Sequence, residues 1–172
     1  MYQTLRRIVR IGIRTEATPA PAADDVVVAR LQAQILRTLG RALTIRHVDA
    51  GSCNACELEA QALSNPYYNV EGLGIKYVAS PRHADALMVT GPLAKHMAVA
   101  LKRTYDAMPE PKLVIAVGEC ACTGGIFGAS YATLGPVSTL LPVDVAIPGC
   151  PPSPTALLQG ILAAITPSPT TR

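Results

Sequence analysis

The chain has 172 residues, 49% of them hydrophobic, which is enough for one domain around a single sizeable core. A formal net charge of +3 and an aromatic content of 4%, with no Trp, argue against a nucleic-acid partner, because both the electrostatic footprint and the stacking platforms are missing. No uninterrupted apolar run approaches the roughly 18 residues of a membrane-spanning helix, and the N-terminus lacks the apolar core and cleavage site of a signal peptide. The expected location is therefore the cytosol, with attachment to a membrane complex left open. Five cysteines, an odd number without an export signal, point away from a disulfide framework and toward reduced thiols able to bind metal.

Residues 1–14 carry Arg6, Arg7, Arg10 and Arg14 among Leu5, Ile8, Val9, Ile11 and Ile13. Such a basic, apolar arm suits either an anionic lipid surface or a partner subunit, or else a solvated tail. An Ala/Pro linker follows, so that residues 1–25 read as arm and linker. Asp24 or Asp25 is placed to cap a helix running to about Gly40, with Val28, Leu31, Ile35 and Leu39 on one face. This N-terminal helix, assigned to 26–42, either packs on the flank of the domain or carries the arm to a partner.

From residue 43 the pattern is strand, loop, helix, repeated. Strands are expected at 44–48, 74–79 (at an edge), 86–90, 113–117 and 143–147, and helices at 56–63, 94–108 and 154–165, the last with Pro154 in its first turn. The run Leu113-Val114-Ile115-Ala116-Val117 is apolar throughout, as a strand covered on both faces should be. This alternation predicts an α/β domain over 43–165, a flavodoxin-like parallel sheet with helices on both faces. Residues 166–172 read as a frayed tail.

Four cysteines stand in three loops that each follow a strand: Gly51-Ser52-Cys53-Asn54-Ala55-Cys56, Gly118-Glu119-Cys120 and Pro148-Gly149-Cys150-Pro151-Pro152. In parallel α/β folds ligands bind beyond the carboxyl ends of the strands, so these thiols are expected to converge there. Soft sulfur donors gathered in this way select an iron-sulfur cluster or zinc. Cys53 and Cys56 can reach one centre together, whereas Cys120 and Cys150 arrive singly. Structural zinc sites are more often built from two paired knuckles, so single ligands from separate loops favour a cluster.

Cys122, two residues beyond Cys120, is an alternative donor; a buried small thiol is its plainer reading. Glu57 and Glu59 open the helix after Cys56, where carboxylates are favourable without any function. Glu119 and Asp49 read in the same way. His47, His83 and His96 have no partner at ligand spacing and read as ordinary surface or capping residues; only His47 lies near a cysteine loop.

The segments Val48-Asp49-Ala50-Gly51-Ser52-Cys53-Asn54-Ala55-Cys56-Glu57-Leu58-Glu59, Ser80-Pro81-Arg82-His83-Ala84-Asp85, Val89-Thr90-Gly91-Pro92, Gly118-Glu119-Cys120-Ala121-Cys122-Thr123-Gly124-Gly125 and Pro148-Gly149-Cys150-Pro151-Pro152 together resemble the family that joins the complex I 20 kDa subunit with small subunits of energy-converting [NiFe] hydrogenases. The resemblance covers about residues 43–165. The Cys-x-x-Cys form at 53–56 resembles the hydrogenase, formate hydrogenlyase-type branch rather than the complex I branch, which has two adjacent cysteines. Ala55 stands where relatives often have Gly. The resemblance implies one [4Fe-4S] cluster held by Cys53, Cys56, Cys120 and Cys150, with Cys120 chosen over Cys122 by the pattern Gly-x-Cys-Ala-x-x-Gly-Gly.

It also implies a relay for single electrons, with the nickel-iron site on a large partner subunit. A ferredoxin-like iron-sulfur subunit and integral membrane subunits are the other implied partners, at the cytoplasmic side of the inner membrane. A complex I-like quinone oxidoreductase, a related assembly without nickel and a zinc-structured interaction module are the alternatives. No Gly-x-Gly-x-x-Gly turn supports a nucleotide.

Overall fold

A computed structural model describes residues 23–166, together with Arg6. The expected basic arm and most of the linker, and the tail beyond Thr166, lie outside the described residues.

Helix α1 (Ala23–Leu39) already contains Asp24 and Asp25, so these acids lie in its first turn rather than ahead of it as a cap. Leu31 and Ile35 are fully buried, and Val28 and Leu39 pack beside them. The stripe rests against the C-terminal helix α5 (Pro154–Ile165), so α1 belongs to the flank of the domain. Ser153 caps α5 by accepting a hydrogen bond from the Ala156 backbone N–H at 3.2 Å.

Five strands, β1 (Leu43–Asp49), β2 (Ile75–Tyr77), β3 (Ala86–Thr90), β4 (Leu113–Val117) and β5 (Val145–Ile147), form one sheet in the order β2-β1-β3-β4-β5, every pairing parallel. That is the flavodoxin-like order. β3 and β4 are central, and every residue of β3 is buried. Successive side chains alternate between the two faces. Ile45, Met88, Ile115, Val117 and Ile147 meet α1, α2 (Ala55–Ala62) and α5, whereas Leu87, Val89, Val114 and Ala116 meet α3 (Lys95–Asp106) and the short α4 (Glu119–Thr123).

The chain reverses at the amino end of the sheet through Asp85. Its carboxylate accepts hydrogen bonds from the Thr44 N–H (3.0 Å) and hydroxyl (2.7 Å) and from both ends of the Arg41 guanidinium (2.9 and 2.5 Å). The Ser80–Asp85 motif is therefore a joint between β1 and β3, at the opposite end of the strands from the cysteines. Burial works to raise the Asp85 pKa, but the Arg41 and Thr44 hydrogen bonds and the Arg41 charge outweigh it and hold the carboxyl below its ordinary value. A depressed folded pKa means stability that is present above the unfolded value of about 3.9 and lost as the pH falls through the folded one. The stability difference between the wild-type chain and Asp85→Asn is expected to narrow from pH 5 toward pH 3 in denaturant titrations. A constant difference over that range would remove Asp85 from the acid response.

Candidate metal centre

β1 delivers Asp49, whose carboxylate accepts hydrogen bonds from the backbone N–H groups of Gly51 and Ser52, both at 2.7 Å, and so closes the first cysteine loop. Asn54 takes a left-handed backbone (φ 72°) between the two cysteines and ends the turn at the start of α2; Asn tolerates that conformation better than most side chains. Cys56 thus sits in the first turn of α2. Cys120 follows β4 and Cys150 follows β5.

Cys120 was expected in an open loop, but it lies in α4, a single helical turn bounded by Gly118 and Gly124. The backbone N–H groups of Ala121 and Cys122 both donate to the Gly118 carbonyl at 3.1 Å. Five residues are too few to carry a helical hydrophobic period, and the flanking glycines read as loop markers.

All four expected ligands line one recess, together with Ser52, Ala55, Pro92 and Phe127. Cys53 and Cys150 are exposed and Cys56 and Cys120 are half-buried. Burial first, then the negative charges of Glu57, Cys53, Cys150 and Cys120, pushes the Cys56 thiol up to about 11. Burial, Cys150, Cys53 and Glu119 raise the Cys120 thiol in the same way. The four sulfurs therefore act on one another electrostatically across the recess. Ionisation of Cys56 and Cys120 is disfavoured until positive charge arrives among them.

Two glycines leave the space that a bulky metal-sulfur body needs. A Cβ on Gly118 (φ 89°) would lie 2.6 Å from Cys56 Sγ, and one on Gly125 (φ 56°) would lie 2.8 Å from Cys120 Sγ. The donor set is soft and the lining is mostly apolar. The residues present fit a cubane held by thiolates from several loops. Among the described residues, no three His, Cys, Asp or Glu side chains close on a point suited to a single metal ion.

Cys122 stands apart. Its Sγ donates weakly to the Ala116 carbonyl at 3.5 Å, and the side chain packs in the core on the α3 face. Burial and Glu119 raise its pKa, and no other cysteine contributes.

Glu57, in the first turn of α2, where a carboxylate is favourable without any function, is buried, 6% exposed. His47 is half-buried rather than on the surface, with Nε2 2.9 Å from the hydroxyl of the buried Thr90. Arg46 and Tyr77, which the sequence did not single out, lie beside them.

Residues 53–164 match the family described as NADH ubiquinone oxidoreductase, 20 Kd subunit. A probable membrane-bound hydrogenase subunit of Pyrococcus furiosus is 44% identical over 133 residues, which are 77% of this chain and 80% of that one. Formate hydrogenlyase subunit 7 of Escherichia coli is 41% identical over 147 residues, 86% of this chain and 58% of that longer one. A chain in the solved structure of a membrane-bound sulfane sulfur reductase, an archaeal respiratory membrane complex, superposes with a TM-score of 0.65 at 31% identity, over 78% of this chain and 73% of that one. The family match spans well over half of the chain and contains all four recess cysteines: this protein belongs to the NADH ubiquinone oxidoreductase 20 kDa subunit family.

Proposed function

We propose that this chain carries one [4Fe-4S] cluster on Cys53, Cys56, Cys120 and Cys150 and relays electrons to or from the nickel-iron site of a large partner subunit, within a membrane-associated energy-converting hydrogenase of the formate hydrogenlyase type. The observation that carries the reading is the single recess ringed by cysteines from the ends of β1, β4 and β5, with Cys122 half-buried elsewhere. More broadly, the chain is a subunit of an oxidoreductase complex of the membrane-bound hydrogenase or complex I-like respiratory type, as its family and its relatives' descriptions agree.

When bound, the cluster supplies a one-electron carrier whose potential its surroundings set, within a span of roughly −700 to +450 mV for such clusters. The chain's own residues do the rest. Cys53, Cys56, Cys120 and Cys150 would hold the group, Pro92, Ala55 and Phe127 in the same lining would limit its contact with water, and the hydrogen bonds from Gly51 and Ser52 to Asp49 keep the first loop in place.

The rim of the recess also suits a large partner. Phe127, in the wall of the recess, is more than half exposed, and its chain neighbour Ile126 is 94% exposed. Apolar side chains presented together beside a site mark a protein interface. The nickel-iron site would lie across that interface, and the ferredoxin-like and integral membrane subunits elsewhere in the assembly. Among the described residues no helix is long and apolar enough to cross a membrane.

A second reading has its own support. The structural relative is described as a sulfane sulfur reductase and the family description names a ubiquinone oxidoreductase, so the electron acceptor named differs among relatives. One experiment separates the two: the complex is purified without oxygen through a tag on this chain, then analysed for metals and by low-temperature electron paramagnetic resonance. About four irons assigned to this chain with a reducible cubane signal, and nickel in the co-purified partner, are expected. Iron without nickel would keep the relay and transfer it to the complex I-like or nickel-free reading. Zinc alone would overturn both.

A further inference from the structure

Glu119 stands in the wall of the recess with Cys53, Cys56, Cys120 and Cys150, and it is half-buried. Its backbone N–H donates to the Gly149 carbonyl at 2.8 Å, which ties the Cys120 segment to the Cys150 loop. The side chain turns forward along α4, where the Thr123 hydroxyl lies 2.8 Å from Oε1 and 3.0 Å from the Glu119 carbonyl. The Gly125 N–H donates to that hydroxyl at 3.2 Å and holds it in place. Among the described residues no Lys, Arg or His forms an ion pair with Glu119.

The carboxylate is therefore an uncompensated negative charge at the recess. Behind burial and the sulfurs of Cys150 and Cys53, it adds to what raises the Cys120 thiol; behind burial, it raises the Cys122 thiol. The hydrogen bond from Thr123 does not need that charge, since the amide oxygen of a Gln would accept it as well. What the charge adds is electrostatic. An incoming electron puts a further negative charge among the four cysteines, and a like charge nearby opposes it. Net charge and solvent exposure both set the potential of an iron-sulfur site, and a partly buried charge is screened less than an exposed one.

We infer that Glu119 tunes the relay: its carboxylate, held by Thr123 in the wall of the recess, lowers the reduction potential of the cluster on Cys53, Cys56, Cys120 and Cys150, and so biases the site toward giving its electron up. The inference rests on the electron-relay reading and adds to it a residue and a direction. Glu119 ligates nothing in this scheme. It acts through space on the electron that the four thiolates help to carry.

The test is a redox titration of the intact complex, purified without oxygen through a tag on this chain and followed by low-temperature electron paramagnetic resonance. The signal of this chain is the one lost in Cys120→Ser. Glu119→Gln and Glu119→Ala are both expected to shift the one-electron equilibrium toward the reduced form by about 3- to 10-fold, a tenfold shift being about 59 mV upward, with iron content and co-purification unchanged. Glu119→Asp keeps the charge and is expected to shift it less than either. Glu71→Gln removes an exposed acid just before β2, at the amino end of the sheet, and is expected to leave the potential where it is. A potential that Glu119→Gln leaves unmoved or lowers would overturn the inference. So would a rise with Glu119→Gln that Glu119→Ala does not share, which marks a new amide donor rather than a lost charge, or an equal rise with Glu71→Gln. Loss of iron from all three Glu119 variants would make the residue structural and overturn it too. Absence of a reducible cubane signal from the wild-type complex would overturn the relay and this inference together, whereas a normal signal whose potential ignores Glu119 overturns this inference alone.

Discussion

Replacing Cys120 with Ser is expected to strip this chain of iron, from about four per chain to background, and to release it from its large partner, whereas Cys122→Ser leaves both in place. The contrast is sharp because the two thiols are neighbours in sequence and not in environment. Cys120 lines the recess and is acted on by Cys150 and Cys53. Cys122 points to the Ala116 carbonyl inside the core and is acted on by Glu119 alone among charged groups. Serine at 120 is a hard, poorly ionised donor in place of a soft thiolate. With three ligands left, one iron of such a cluster would lack its thiolate, and loops whose folding depends on the metal would lose order with it. Serine at 122 exchanges one small weak donor for another at a half-buried position, for about 1 kcal/mol. Iron, labile sulfide and co-purification measured on both variants decide it; equal losses would show that the ligand assignment is wrong.

Gly118→Ala is expected to weaken cluster retention by roughly tenfold or more while the sheet remains folded. The residue sits at φ 89° and ψ 156°, a region open essentially to glycine and costing other residues about 1–3 kcal/mol. The added methyl would also stand 2.6 Å from Cys56 Sγ. The backbone has little freedom to retreat, because the Gly118 N–H donates to the Ile147 carbonyl at 2.8 Å and its own carbonyl accepts from Ala121 and Cys122. The strain therefore falls on the Cys56 sulfur, which is displaced from the recess. Full iron content with an unaltered resonance signal in the variant would remove Gly118 from the site.

Much of the scaffold was legible in the residues. β3 and β4 were expected at 86–90 and 113–117 and are found at Ala86–Thr90 and Leu113–Val117, because a strand covered on both faces must be apolar at every position and Gly-Pro or Gly-x-Cys closes it abruptly. α5 was expected at 154–165 for a similar reason: a Ser-Pro start is a strong local signal, and Ser153 and Pro154 act as one. Less was legible where an element is short or its environment lies far away in sequence. α4 has one turn. Residues 143–144 precede β5 rather than belonging to it; Asp144 instead accepts a hydrogen bond from the Val114 N–H at 2.7 Å, a tertiary tie.

What the residues alone determined is the class of fold, its parallel sheet, and the placement of Cys53, Cys56, Cys120 and Cys150 at strand ends. These follow from periodicity and from the rule that loops after parallel strands gather at one end of the sheet, both of which are local or topological. Only the tertiary structure decided that Cys120 and Cys122 face different environments, that α1 lies on the flank against α5, that Asp85 is a joint at the far end of the sheet, and that Glu57 lies unpaired beside Arg46 and Tyr77. Each depends on which side chains the crossover connections bring together. Hydrogen bonding, desolvation and charge act over a few ångströms in space, whatever the separation along the chain.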